Sequence, residues 1–584
     1  MKGREARTLS VVHVSSLSCM RFAQHILRFR GPCRFQPPHG HTDAPTHRRT
    51  DAPEHRHTAP TRSDTIPEMK PTSVDNSWHV ASGHEETTRA ATEVLRAGGN
   101  GADAAVAAAL AATVAEPLLC SIGGGLHGLV HCQGRAPVAL DAFTQTPRQR
   151  RRGELDFYPI IGNFGPDVQE FHVGMASIAT PGMPAGLAAL HARFGAIPLK
   201  ELVQPAIALA RQGVALNAIQ HYTVQILEPI VRATDAGARL FGLADRHEKL
   251  PAAETRVSNR PLADCLDLLG REGFEWFYRG ELAGQLAHDC ATGGGHLKPA
   301  DLSGYRAHWR RPLSWNYRDA RIWSTPPPAF GGMMLALASH GLDNHLPAQP
   351  GFGNPQHVAA LISALKQTEH FRQELEHPEL LRCGRSLKKA FAALMQAGPR
   401  VARGTTQISI DDGRGLGISL TLSNGEGSGY VLPGTGIMLN NMLGEEDLNR
   451  AGFHNWPTNR RLASMMAPMM LRRGKQRWLL GSGGSNRIRT ALAQVISNLV
   501  DFELPLDEAI AAPRLHLEDG RLACEMVEGT WPDNTLHWLE THFPAARHWP
   551  ERNMYFGGVH AVGPNSAAAD PRRLGHAMSG LVGA

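Results

Sequence analysis

A glycine followed by two threonines opens an alternating run, Gly404-Thr405-Thr406-Gln407-Ile408-Ser409-Ile410-Asp411, which constrains the fold more than any other feature. Its β-branched, period-two pattern predicts a strand that starts at the first threonine. Further along, the apolar run Trp478-Leu479-Leu480 empties into Gly481-Ser482-Gly483-Gly484-Ser485. A threonine at the head of one strand and a glycine-rich loop after another are two halves of one kind of site. If the chain is cut before Thr405, that residue supplies both a hydroxyl nucleophile and a free α-amine base. The loop then offers bare backbone N–H groups to an oxyanion. Taken alone, Gly-Thr-Thr is more often an ordinary strand entry.

The chain of 584 residues, 42% hydrophobic and 20% charged, has enough apolar material for a large core and is too long for one small domain. Residues 1–75 hold 12 Lys and Arg against 7 Asp and Glu, and so carry +5 of the formal +6. The remainder is close to neutral, which argues against a nucleic-acid surface. No run of apolar residues is long enough to span a bilayer, so no membrane partner is expected. Eight cysteines without paired spacing read as reduced thiols. No histidine or cysteine cluster has ligand spacing, so neither a metal nor another cofactor is expected.

Residues 1–77 form a separate tail. Thr42-Asp43-Ala44-Pro45-Thr46-His47-Arg48 is nearly repeated at Thr50-Asp51-Ala52-Pro53-Glu54-His55-Arg56, a composition that cannot bury enough apolar surface to order itself. The run Leu9 to Met20 is too polar for a signal peptide, and Met69 is an alternative start. The cytoplasm is the expected compartment; a different start would admit a periplasmic or secreted location.

Between residues 78 and 404 helices alternate with short strands. Ala102 to Val114 is an alanine-rich helix suited to close packing, and Leu199 to Gln212 and Val358 to Phe371 are amphipathic outer helices. Ile122-Gly123-Gly124-Gly125 leads into the strand Leu126 to His131, where close backbone packing is favoured over phosphate binding. Pro326-Pro327-Pro328 ends a strand, and the basic stretch His377 to Arg403 reads as an exposed connection ahead of Thr405. After the Gly481 loop, Arg487 to Val500 is helical. The loop lacks both the lysine of a P-loop and the spacing of a dinucleotide fingerprint.

Longer motifs turn the threonine from a suggestion into a resemblance. They are Ala91-Thr92-Glu93-Val94-Leu95-Arg96-Ala97-Gly98-Gly99-Asn100, Glu116-Pro117, Thr180-Pro181-Gly182, Asp301-Leu302-Ser303-Gly304-Tyr305-Arg306, Ala512-Pro513-Arg514 and Tyr555-Phe556-Gly557-Gly558. In this order, from about residue 78 to the C-terminus, the chain resembles the γ-glutamyltransferase family of N-terminal nucleophile hydrolases. The resemblance implies an α+β fold, a four-layer αββα sandwich of two stacked antiparallel sheets. It implies cleavage between Gly404 and Thr405 into heavy-chain (78–404) and light-chain (405–584) parts, with further oligomerisation left open. It also implies an enzyme that cleaves γ-glutamyl amides such as glutathione and passes the acyl group to water or an amine.

The same resemblance assigns Thr405 as nucleophile and Ser423 as its supporting hydroxyl. Gly483 and Gly484 become oxyanion donors, although the family's loop has slipped by one residue here. Asn424 matches a substrate-binding asparagine, with a turn asparagine equally consistent. Of the acidic cluster Glu445-Glu446-Asp447, Glu445 is best placed to bind a substrate amino group; a solvated helix start is the alternative. Two departures stand out. Only Ser464 remains of a two-serine run, and Phe143 falls where relatives carry an arginine that clamps the glutamyl α-carboxylate. Losing such a bidentate partner removes a charge-assisted pair; Arg148 and Arg150-Arg151-Arg152 lie nearby in sequence. Phe143 favours a second reading, an acylase for a glutaryl-type amide. A third, a binding protein that never cuts itself, runs against the retained Gly404-Thr405 and Gly483-Gly484.

Overall fold

The computed structural model describes residues 76–163, 168–346, 351–374, 404–445, 448–449 and 452–583. The tail, Met69, the connection from His377 to Arg403, and Glu446 and Asp447 lie outside the described residues.

The strands of the two large sheets are β1 (Ser77–Ser82), β2 (Gly125–Cys132), β3 (Val138–Ala142), β4 (His308–Arg310), β5 (Leu313–Tyr317), β6 (Ala320–Ser324), β7 (Thr405–Asp411), β8 (Leu416–Ser423), β9 (Met469–Arg473), β10 (Gln476–Gly483), β11 (Gly558–Gly563), β12 (Ser566–Ala568) and β13 (His576–Leu581). One sheet runs β13-β1-β7-β8-β2-β3-β4 and the other β12-β11-β10-β9-β6-β5. Every pairing in both is antiparallel. The predicted strand at Thr405 therefore lies near the middle of the first sheet and begins at that residue.

Helices cover the outer faces. Helix α1 (Glu85–Arg96) and α2 (Gly101–Ala115) share a buried cluster with Ile408, Ile410, Ile418, Leu420 and Leu422. Helix α2 starts where the Asn100 side chain accepts from the N–H groups of Ala102 and Asp103, while Asp103 returns a bond to Asn100 N–H. Its small side chains let it be buried on every side. On the other sheet lie α3 (Gly331–His345) and α5 (Arg487–Val500), with α4 (Pro355–Glu374) packed on α3. This is the four-layer αββα arrangement. The helix expected from Leu199 to Gln212 is instead two, Leu199–Leu202 and Gln204–Gln212. Pro205 has no N–H to donate to the carbonyl four residues back, so the ladder is interrupted.

The space between the sheets is partly apolar, through Ala81, Leu129, Ala139, Met470, Leu479 and Val562. Beside them it is polar and hydrogen-bonded. Gln407 Nε2 donates to Ser409 Oγ at 3.0 Å and Ser419 Oγ at 2.9 Å, and Thr421 Oγ1 donates to Gln407 Oε1 at 2.6 Å. Ser409 and Ser419 then bond across to the His560 and Leu480 carbonyls of the second sheet, each at 2.9 Å. A buried hydroxyl stripped of its partner carries the full desolvation penalty, about 1–3 kcal/mol. Gln407→Leu is therefore expected to lower the unfolding free energy by about that amount or more. Urea denaturation in a Thr405→Ala background, where the chain is whole, measures it.

Candidate active site

Thr405 pairs with Ser423, and Ser423 pairs in turn with Gly125. A Cβ on Gly125 would lie 3.0 Å from Phe143 Cα, so Thr405, Ser423, Gly125 and Phe143 form one row across three strands and the residue that follows β3. Gly124 is backbone packing, as expected: a side chain there would strike the Ser423 carbonyl.

The Ser423 hydroxyl is the centre of the site. It donates to the Gly404 carbonyl oxygen at 2.6 Å and lies 3.5 Å from Thr405 Oγ1. It also accepts from Gly425 N–H at 3.2 Å, which fixes its orientation. A donor on the Gly404 carbonyl polarises the one carbonyl that the Thr405 hydroxyl must attack to cut the chain. Gly404 N–H donates to Glu426 Oε1 at 3.3 Å. A side chain on Gly404 would collide with the Gly425 carbonyl, so only glycine fits.

From the second sheet the glycine loop closes on the same point. A side chain on Gly483 would collide with the Thr405 carbonyl oxygen, so this loop runs against the Thr405 backbone. Gly484, at φ +110°, turns away from β10 beside Gly557, in a conformation that favours glycine. Helix α5 begins just beyond, so the loop sits at the positive end of its dipole.

Asn424, Gly425, Asn441 and Glu445 converge next to Ser423. Asn441 Oδ1 accepts from Glu426 N–H at 2.9 Å, and a Cβ on Gly425 would lie 2.9 Å from Glu445 Oε1. Asn424 Nδ2 donates to the Met438 carbonyl at 3.5 Å. Asn449 holds the Glu445 turn by donating to the carbonyls of Met442, Leu443 and Glu445. Glu445 is buried, which excludes the solvated helix start. Ser464 is buried too, and its carbonyl accepts from Phe330 N–H at 2.7 Å. Two residues earlier Leu462 N–H donates to the Thr144 carbonyl, bringing this segment alongside Phe143.

Phe143 is buried and stacks on His127 at 5.4 Å with 17° between the rings. Burial lowers the His127 pKa to about 4, so the imidazole beside Phe143 is neutral at pH 7. The neighbouring arginines are committed elsewhere. Arg461 donates to the Phe143 and Arg306 carbonyls, meets Asp141 at 3.2 Å and lies over Tyr305. Arg148 donates to Ala300, Arg150 to Trp456 and Arg151 to Ala291, all backbone carbonyls.

Arg573 was not a sequence candidate. Its Nη1 donates to the Thr405 carbonyl at 2.9 Å from full burial. Asp570 positions it by capping the turn Pro571–Arg573 and pairing with Arg514 at 2.6 Å and Arg572 at 3.2 Å. These two arginines hold the Asp570 carboxyl well below the usual range. The Asp-Pro-Arg-Arg turn was the only available signal, and nothing local tied it to a residue 168 positions away.

A family model described as Gamma-glutamyltranspeptidase matches residues 87–580. The acylase ACY 1 proenzyme of Pseudomonas sp. (strain V22) is 32% identical over 497 residues, covering 80% of this chain and 87% of that protein. The glutathione hydrolase proenzyme of Escherichia coli (strain K12) is 28% identical, covering 79% and 84%. Among solved structures, cephalosporin acylase from Bacillus halodurans superposes with a TM-score of 0.72 at 24% identity. That superposition covers 89% of this chain and 99% of the acylase, and it establishes the fold.

Removing a single preorganised donor from a developing oxyanion slows a reaction by about 10²–10³-fold. Ser423→Ala is expected to slow self-cleavage on that scale and Ser423→Thr to restore most of it. The fraction of cut chain on a denaturing gel, followed over time, measures both.

Proposed function

The chain belongs to the gamma-glutamyltranspeptidase family, and from that premise we propose that it cuts itself between Gly404 and Thr405 and then works as an amidase. Thr405 Oγ1 attacks the Gly404 carbonyl carbon while the Ser423 hydroxyl holds the carbonyl oxygen. The Gly404–Thr405 C–N bond breaks, the nitrogen becomes the Thr405 α-amine, and an ester remains on Oγ1. Water then hydrolyses that ester, releasing the Gly404 carboxylate. The single observation that carries the proposal is the Ser423 hydroxyl, 2.6 Å from the Gly404 oxygen and 3.5 Å from Thr405 Oγ1.

In the mature enzyme the α-amine, with a reference pKa of about 7.7–8.0, takes the Thr405 hydroxyl proton. The hydroxyl attacks the substrate amide, the oxyanion meets the Gly483-Gly484 loop, and the amine departs. Water or an acceptor amine releases the acyl group. The acyl group proposed is γ-glutamyl, as in glutathione, with Asn424 and Glu445 toward its amino group and Ser464 toward its carboxylate.

A second acyl group is favoured by one observation. Phe143 on neutral His127 gives an α-carboxylate no cation, and Arg461 is already engaged by the Phe143 and Arg306 carbonyls and by Asp141. An unpaired carboxylate there loses binding energy; a glutaryl chain, which lacks only the α-amino group, keeps that carboxylate, whereas a chain without it, such as butyryl, loses nothing. This supports an acylase on the same machinery for a side chain without a carboxylate at that position, rather than the glutaryl type expected from the sequence.

Folded protein is expected to resolve into residues 1–404, or a shorter form if the start differs, and 405–584, with Thr405 as the new N-terminus. Thr405→Ala is expected to stay whole and inactive. An N-terminal sequence beginning at Thr406 would overturn the assignment. For substrate, kcat/KM for γ-glutamyl and butyryl anilides, the second lacking both the α-amino and the α-carboxylate group, is expected to differ little. Phe143→Arg is expected to raise the γ-glutamyl value more than the butyryl one. A strong wild-type γ-glutamyl preference that Arg148→Ala or Arg150→Ala abolishes would instead place the clamp on those residues.

A further inference from the structure

Helix α2 ends in a way that helix physics disfavours. Its C-cap is Glu116, a carboxylate at the negative end of the dipole, and the side chain is 4% exposed. An acid so placed weakens the helix and resists ionisation, so its contacts deserve an explanation other than helix stability. They lead directly to the cut site. A Cβ on Gly83, where β1 ends, would lie 2.6 Å from Glu116 Oε2 and 2.5 Å from Thr406 Oγ1, so the two oxygens close on one point. Thr87 Oγ1 donates to Glu116 Oε1 at 3.4 Å. The Arg573 guanidinium, which holds the Thr405 carbonyl, is charge-stabilised by Glu116 and by Asp570. Glu116, Arg573, Gly83, His84 and Gln220 also line one small cavity of about 30 Å³, room for a water.

We propose that Glu116 is a positioning residue for self-cleavage: as an anion it holds Arg573 against the Thr405 carbonyl and faces the Thr406 hydroxyl as an acceptor, fixing the Gly404–Thr405 peptide for attack. The carboxylate touches neither the bond that breaks nor the one that forms. Its effect passes through Arg573 and Thr406 to the residue between them. Protonation removes the charge that balances Arg573 and turns an acceptor into a donor, so the strand head loosens.

Burial raises the Glu116 pKa to about 7, and the Thr406 hydroxyl, Arg573 and Thr87 pull it partly back. The neighbours that burial and charge shift most are moved away from that range. His84 is held neutral, with a pKa of about 4, by burial, with Glu85 and His576 beyond it. The Cys120 thiol is pushed well up. Arg573 remains a cation, with Asp570 ionised behind it. The Thr405 α-amine does not exist before the cut, so it contributes nothing to the pH dependence of the precursor. The active form is the carboxylate, so self-cleavage should speed up as pH rises through about 7.

The inference rests on cleavage before Thr405, and N-terminal sequencing of the small fragment tests that separately. Freshly translated full-length chain is transferred to buffers from about pH 5.5 to 8.5, around the Glu116 transition, and cleavage is followed on denaturing gels. Wild type is expected to show the limb near pH 7. Glu116→Gln is expected to cut more slowly, on the order of 10–100-fold, since small misplacement of a reacting group costs that much. It is also expected to lose the limb, and Glu116→Asp to keep one. Thr406→Val removes one group that lowers the Glu116 pKa, so its limb should move to higher pH. Circular dichroism and thermal melting establish that each variant folds. A Glu116→Gln chain that cuts at the wild-type rate or keeps the limb overturns the proposal. So does a folded Thr406→Val chain whose limb does not move. Should Glu116→Gln fail to fold, Thr406→Val decides alone.

Discussion

The site depends on the register between β7 and β8, which sets Thr405 opposite Ser423. A slip by one residue would turn every side chain of β7 to the other face. Thr405 would then face the helices and Ile408 the space between the sheets. Burial on both faces forbids that slip. Ile408 and Ile410 belong to the helix-side cluster, while Ser409 is bonded to the opposite sheet and Gln407 to Ser419, which is bonded to that sheet in turn. The polar stripe between the sheets is thus part of what aims the nucleophile. An all-apolar stripe would pack as well but would tolerate sliding.

Register alone leaves the end of a strand free to fray, and the structure closes it from three directions. Gly425 sits against Gly404, Gly483 against the Thr405 carbonyl, and Arg573 donates to that same oxygen. Two of the three closures need a residue without a side chain, and the third needs a buried cation. That cation is offset by Glu116 on one side and by the Asp570 cluster on the other. Buried ion pairs contribute little net stability against well-packed apolar groups. Their presence here is better understood as geometric control of one carbonyl.

Much of this was legible in the sequence because it is local. The strand at Thr405, the helix from Arg487 to Val500 and the alanine-rich helix follow from periodicity and caps, and the motifs carried the fold class. Val203 was missed as a break because the apolar pattern continues across Pro205 while the hydrogen bonds do not. The row from Thr405 to Phe143 was invisible, since it joins residues more than 260 apart in the chain through strand pairing. Arg573 and Glu116 were missed for the same reason. Each belongs to a local pattern that explains itself, a helix end and a basic turn, and only the fold brings them together behind Thr405.

At the far end of the row, Phe143 is fitted to its neighbours within the same layer. An arginine at 143 would need a carboxylate partner whenever substrate is absent, and Asp141 is the nearest buried one. Here Asp141 is already held by Arg310 at 2.7 Å and Arg461 at 3.2 Å, and the His127 ring lies flat on Phe143. An arginine at 143 would add a third cation around one carboxylate and stand against an imidazole that burial keeps neutral. The apolar residue is therefore built into its surroundings, and reversing it asks for Arg461 or His127 to change as well. Phe143, His127, Asp141 and Arg461 are in contact with one another as a group, so the effect of replacing Phe143 alone includes the coupling to the other three.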